Sequence, residues 1–442
     1  MNKNIKENID LLFNITKKLG AKKISIIGSE NTSLSVSARL GKLENVERNE
    51  SKNIGLRVID NKKQVTVSTT NLSTEALRQL AETALAMVKY VPEDPFCDLP
   101  DKKELYIGNM NLDLEDKYSP NNEELLNKAL ETEENALNVK GIKTSEGSSY
   151  SYSKSKFYLS SSNGFNNSYT RTNFSAGISV IAGEGTKMER DYEYQNKTHN
   201  EDLDSAKKIG EKAGKRAIAR LNPKKIKSSS VPVIFDPKVS GTLLSLFSRG
   251  VSGQAIARGT SFLKDKMNKT IFNKNIEIID DPLIPRGHKS RTFDSEGVKT
   301  NKIYLVKNGK LLSWILDSNT SRQLNLKNTG HASGSPPNPS TSNIYMNAGK
   351  LKNTEIIKSI KNGFYITEMM GMSFNQVTGD YSRGATGFWI ENGEKIFPVS
   401  EVTVAGNIVE MYRTLTPASD LKFTNGVDAP TLLIDNMTVA GL

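Results

Sequence analysis

The sequence predicts an α+β protein. An N-terminal domain of mixed helices and antiparallel strands precedes a strand-rich C-terminal domain, barrel-like or sandwich. Three observations predict it. Short runs of alternating apolar and polar residues recur along the chain, as half-buried strands require. Asn-Gly pairs sit between such runs at 163–164, 308–309 and 392–393, where tight hairpin turns favour them. Four stretches before residue 222 instead read as helices, two of them behind a capping signal at Ser73 and Ser119.

Residues 4–19 carry Ile5, Ile9, Leu12, Ile15 and Leu19 near helical spacing, and Gly20 can close that helix. KISIIG, SLSVSARL, KLENVERN, IGLRVID and KQVTVST follow as a meander of strands. Ser73 caps a helix over STEALRQLAETALAMVKYV, with Glu75 in its first turn. VPEDPFCDLP is a Pro-rich, acidic connection. The next helix opens at Ser119-Pro120, an N-cap followed by a proline at the first helical position. FYLSSS and FNNSYTRT flank Asn163-Gly164, and ISVIAGEGTKMERDYEYQ continues the sheet. A helix from Asp202 to Leu221 ends the first domain, placed at 1–222. NPKKIKSSS, 222–230, reads as a linker, and the second domain spans 231–442. There IYLVKNGKLLSWIL and TGFWIENGEKIFPV are hairpins, and EVTVAGNIVEMYRTL and TLLIDNMTVAG add strands to an antiparallel arrangement. HASGSPPNPSTSN, 331–343, is a long loop without periodicity.

A chain of 442 residues exceeds one ordinary core. Its net charge of +11 is spread thinly, and the densest basic stretch is the linker, so nucleic acid is not the expected partner. No run approaches the roughly 18 apolar residues that span a bilayer, so no membrane is expected. The charged, amphipathic N-terminus lacks the features of a secretory signal. A single cysteine, Cys97, allows no intrachain disulfide. A cytoplasmic location is the expectation.

VPVIFDP reads as a buried strand, and LLSLFSRGVSGQAIARGTSFL, 243–263, as the helix after it. Many enzymes place a catalytic group in such a setting, yet this helix carries no His, Cys or carboxylate. The three histidines, His199, His288 and His331, are far apart, with no HExxH and no CxxC, so no zinc site is expected in the chain. GEKAGK at 210–215 lies in a helix pattern, GEG at 183–185 in a turn, and Cys97 in a connection with no activating neighbour. Polar residues beyond strand ends, namely Arg291, Asp294, Glu296, Asp317, Arg322 and His331, are the candidate lining of a substrate cleft.

The order FDPKVSGTLLSLF, RTFDSEGVKT, GKLLSWILDSNTSRQL, GHASG, NIYMNAG, GATGFWIENGE and VSEVTVAGN resembles the TldD/PmbA family, linked to zinc-dependent processing of peptides. The resemblance is strongest over 230–442. TldD-type chains carry HExxxH on the helix after the strand–turn unit, and a Cys ligand near the C-terminus. By that likeness Ser245 stands for the first His, Leu246 for the Glu and Gly250 for the second His. No His or Glu lies between 236 and 264, and no Cys follows Cys97. The resemblance therefore implies the other kind of family chain, the PmbA or TldE kind. It implies no cofactor here, zinc in a TldD-like paralogue, and a heterodimeric peptidase in which this chain walls the cleft and holds peptide. A homodimer stays open where that partner is missing. The alternatives are a stand-alone peptide-binding or regulatory protein, and a hydrolase with an unrecognised site.

Overall fold

The computed structural model describes residues 4–442, with backbone alone at 372. Residues 1–3, the start of the expected first domain, lie outside the described residues.

α1 (Ile5–Lys18) is capped by the Asn4 side chain, which accepts from Glu7 N. The five expected short strands are three long ones: β1 (Lys23–Arg39), β2 (Lys42–Asp60) and β3 (Lys63–Thr69). Polar stretches such as SENTS and NESKN looked like turns, but each continues a strand whose exposed part needs no apolar face. α2 (Thr74–Met87) begins at Ser73. α3 (Asn122–Leu137) begins at a capping box of Asn121 and Glu124 and not at Ser119-Pro120. β4 (Ile142–Ser161) and β5 (Asn166–Ala182) form the hairpin about Asn163-Gly164. β6 (Glu189–Lys197) and α4 (Ala206–Ala219), capped by Ser205, complete this half.

These strands make one antiparallel sheet, ordered β3-β2-β1-β4-β5-β6. Strand period sets its two faces. On β1, Ile24, Ile26, Val36 and Ala38 point to the helices. α1 and α2 cover one end of that face with Ile5, Ile9, Leu12 and Leu77, while α3 and α4 cover the other with Ala129, Ile209 and Ala213. Gly210 lets α3 and α4 close up, since a Cβ there would lie 2.3 Å from the Thr132 carbonyl oxygen. The opposite face carries Ile27, Phe157 and Tyr169, packed with Phe293 of the C-terminal half.

β7 (Ser229–Phe235) leads into α5 (Pro237–Gly250) and α6 (Gly253–Ala257). β8 (Ile278–Asp280), β9 (Ile303–Lys307), β10 (Lys310–Leu311), α7 (Ser318–Gln323), β11 (Ala332–Ser333), β12 (Asn338–Pro339), β13 (Ile344–Met346) and α8 (Asn353–Lys358) follow. The chain then forms β14 (Asn362–Phe374), β15 (Asp380–Glu391), β16 (Glu394–Asn407), α9 (Ile408–Thr414), β17 (Thr416–Pro417), β18 (Val427–Asp428) and β19 (Leu432–Ala440). The hairpin turns at Asn308-Gly309 and Asn392-Gly393 have positive φ at both residues, the conformation Asn-Gly tolerates.

The C-terminal half is a closed five-stranded barrel: β16-β15-β14-β7-β19, with β19 pairing back to β16. Its filling includes Val233, Phe235, Ile366, Val404 and Val439. A smaller sheet, β10-β9-β8-β13-β18, packs beside it. The expected all-antiparallel pairing needs correction. β7 pairs with β14, and β13 with β18, in parallel. Parallel neighbours need a crossover, and the long α5-to-α8 excursion supplies one. Residues 222–230 are no free linker either. Lys224 N donates to Pro398 O, Leu442 N donates to Ile226 O, and Ile226 is buried on the barrel. Among the described residues no helix is long and apolar enough to cross a membrane.

Candidate functional site around the α5 helix

α5 starts where the β7 strand delivers Asp236 to the barrel rim. Asp236 caps the helix through Lys238 N at 2.9 Å and accepts the Tyr365 hydroxyl at 2.7 Å, and Pro237 follows at the first helical position. Leu243, Leu244, Leu246, Phe247 and Gly250 are buried along one side. The hydroxyls of the second and third turns are spent inside the helix. Ser245 Oγ donates to Gly241 O and Ser248 Oγ to Leu244 O, both at 3.0 Å.

The C-terminal end of α5 is closed by aromatic rings. Phe272 stacks on Tyr412 at 4.4 Å, Phe247 meets Phe272 edge-on at 5.7 Å, and Phe262 meets Phe374 edge-on at 5.7 Å. A Cβ on Gly250 would lie 2.8 Å from Phe262 Cε1 and 3.0 Å from Leu263 Cδ1. A zinc ion needs three or four converging imidazole, thiolate or carboxylate ligands. Positions 245, 246 and 250 offer a bonded hydroxyl, a buried isobutyl group and a hydrogen atom under a phenyl ring. Among the described residues no group of three His, Cys, Asp or Glu side chains converges as a metal site. The residues present do not fit the ion.

Beyond the helix end lies an open cleft of about 370 Å³, lined by Arg249, Ser252, Arg258 and Gln376 among others. A second cleft of about 440 Å³ lies between the polar face of β1, β4 and β5 and the segment 288–291. Ser340 and Thr341 line both, so the two form one trough.

Of the six residues expected to line a cleft, Arg291 borders this trough, and its guanidinium donates to Ser340 O at 3.2 Å. The cleft role expected of the other five is corrected. Asp294 is buried and accepts N–H bonds from Glu296, Val298 and Ala332 at 2.9–3.0 Å. Glu296 is buried against Arg57 of β2 at 3.0 Å and accepts Ser318 N at 2.9 Å. Asp317 caps α7 through Thr320 N. Arg322 donates to the carbonyls of Phe96, Asp98 and Leu99. His331 is buried with Nε2 3.0 Å from Asp280. Turn and loop signals around these residues suggested exposure. Their actual work is to satisfy buried backbone groups and join the two halves.

Two expected outcomes follow from this burial. Burial, then the neighbouring Glu296 carboxylate, pushes the Asp294 carboxyl up to about 7. A carboxyl raised in the folded state favours folding most below its unfolded value near 4, and that advantage fades as pH rises toward 7. Stability against urea should therefore show a decline from pH 4 to 7 that is shallower in Asp294→Asn. Equal slopes in the two proteins would contradict this. Cys97 is fully buried, and burial followed by Asp94 pushes its thiol up. Cys97→Ser should lower stability by about 1–3 kcal/mol, through a hydroxyl in a closed site. Rapid labelling of the native thiol would contradict the burial.

Arg171, His288 and Lys289 in the trough were not among the expected site residues. Two signals could have found them. RGHKSR, 286–291, is a dense basic run, and Arg171 falls opposite Ser155 on the outer face of the β4–β5 hairpin.

The fold and the helix define a chain built on a metallopeptidase scaffold. Residues 25–88, 115–221 and 228–441 match, in order, the models of PmbA/TldA metallopeptidase domain 1, the central domain and the C-terminal domain. The Metalloprotease PmbA of Escherichia coli O157:H7 is 34% identical over 93% of this chain and 91% of its own length. A solved Bacteroides thetaiotaomicron chain, labelled a candidate modulator of DNA gyrase, is 25% identical, covers 99% of both chains and superposes with a TM-score of 0.92. TldE from Thermococcus kodakarensis has the same fold, with a TM-score of 0.86, 20% identity and 98% and 100% of the two chains covered. The chain belongs to the PmbA/TldD family of metallopeptidases.

Proposed function

We propose that this chain is the non-catalytic subunit of a heterodimeric zinc-dependent peptidase. In this reading it walls the cleft and holds peptide, while a TldD-like paralogue carries HExxxH and the metal. One observation carries the reading: the helix that would bear the ligands is in place, but 245, 246 and 250 are Ser, Leu and Gly, and Phe262 fills the space a side chain at 250 would need. Without ligands or a general base, no water here gains the acidity that peptide attack requires. A duplicated scaffold still offers a matching surface for pairing, and the open trough offers room for extended peptide. The expected setting is cytoplasmic. The experiment is co-expression with the HExxxH-bearing paralogue of the same genome. The two chains should co-purify at equal stoichiometry, and failure to associate at micromolar concentration would sink the heterodimer.

A further inference from the structure

The trough is unusually one-sided in charge. Arg171, Arg249, Arg258, Lys289 and Arg291 line it, and no Asp or Glu lines either cleft. Among the described residues, none of the five sits in an ion pair. Arg171 spends its guanidinium on the neutral carbonyls of His288 and Ser290, and Arg291 on Ser340 O, while Arg291 Nε is buried without a partner. The nearby carboxylates are occupied elsewhere. Asp280 accepts from His331 and Ser342, and Asp428 accepts the N–H groups of Thr424, Asn425 and Gly426. Like charges are therefore held together along the rim with no ion pair at contact distance, and Asp280 acts on Lys289 and Arg291 only through space. Burial holds the Lys289 ammonium below its usual value; Asp280 opposes that effect and Arg291 adds to it.

We propose that this trough binds an acidic stretch of an extended peptide. The proposal rests on the subunit reading and gives that subunit's substrate a charge preference. Bound carboxylates would supply counter-charge to Arg249, Lys289 and Arg291. Ser29, Asn31 and Ser155 on the sheet face offer hydroxyl and amide partners to a peptide main chain. Nucleic acid fits less well, because single-strand binding uses free aromatic platforms. The aromatic rings in the trough, Phe157 and Tyr169, already pack on each other at 5.1 Å and on Phe293 at 6.3 and 5.6 Å.

The test needs neither partner nor cleavage, so its failure is separate from failure of the heterodimer. Fluorescence anisotropy of the full chain would compare a labelled ten-residue Asp/Ser peptide with its Asn/Ser counterpart at low salt. The acidic peptide should bind at least about tenfold tighter, and Arg249→Gln/Lys289→Gln/Arg291→Gln should erase about that factor. Lys22→Gln/Lys327→Gln/Lys350→Gln, the same loss of charge on exposed sites, should bind like the parent. Arg249→Glu alone, at an exposed position outside the Arg291–Ser340 contact, should also weaken binding and guards against misfolding of the triple variant. Equal weakening by the control triple would overturn the proposal. So would equal affinity for both peptides, equal molar competition by inorganic phosphate, or tighter trough-dependent binding of an oligothymidylate of the same charge.

Discussion

Arg57→Met should lower the stability of the folded chain by about 3–5 kcal/mol. Arg57 is 5% exposed on β2, in the N-terminal half, and Glu296 is equally buried in the C-terminal half. Their guanidinium and carboxylate meet at 3.0 Å, Arg57 Nε also donates to Gln64, and Glu296 fixes the first turn of α7 through Ser318 N. Removing the arginine leaves a carboxylate with no countercharge beside buried Asp294. An uncompensated buried charge costs far more than the net worth of the pair. Arg57→Met/Glu296→Met should recover much of the loss, because an apolar pair has no charge to desolvate. Urea unfolding of the parent, both single variants and the double variant gives the coupling directly. Additive effects would show that the two groups do not act as a pair.

Placing HExxxH on α5 by Ser245→His/Leu246→Glu/Gly250→His should not create a zinc site. Two of the three substitutions meet a physical obstacle. Ser245 is partly exposed, so histidine there is tolerated. Leu246 is 6% exposed in the main core, and a carboxylate in its place is desolvated without a partner. At position 250 even a Cβ would approach Phe262 Cζ to 2.9 Å, so an imidazole must displace the Phe262–Phe374 pair. Overpacking and the buried carboxylate together should cost at least about 3 kcal/mol. The measurements are the melting temperature and the zinc content after dialysis. A variant as stable as the parent, with one zinc per chain, would mean that the site is merely missing its ligands and is otherwise intact.

What could be read from the sequence follows from what each signal encodes. Asn-Gly at 308–309 and 392–393 specifies a local turn, and both hairpins are where that signal put them. The barrel closure was not legible, because the β16–β19 pairing joins segments with no local signature for one another. β1 and β2 each read as two strands because strand residues facing solvent look like loop residues. The lack of His, Cys and carboxylate residues on α5 was visible as residue types. The Phe262 ring that seals Gly250 was not, since it comes from twelve residues downstream through the fold. Asp294, Glu296, Asp317 and His331 were singled out for polarity near turns. A sequence cannot distinguish a polar group that faces a cleft from one that caps buried backbone.

The most direct test of the non-catalytic role is a peptide digestion with three samples: this chain, an HExxxH-bearing paralogue, and the two co-expressed. With an unstructured fluorogenic peptide, this chain alone should cleave nothing, and the pair should cleave in a way that a chelator stops. The paralogue alone should be much slower than the pair. Cleavage by this chain in the presence of chelator, or equal cleavage by the paralogue without it, would contradict the reading of a non-catalytic subunit.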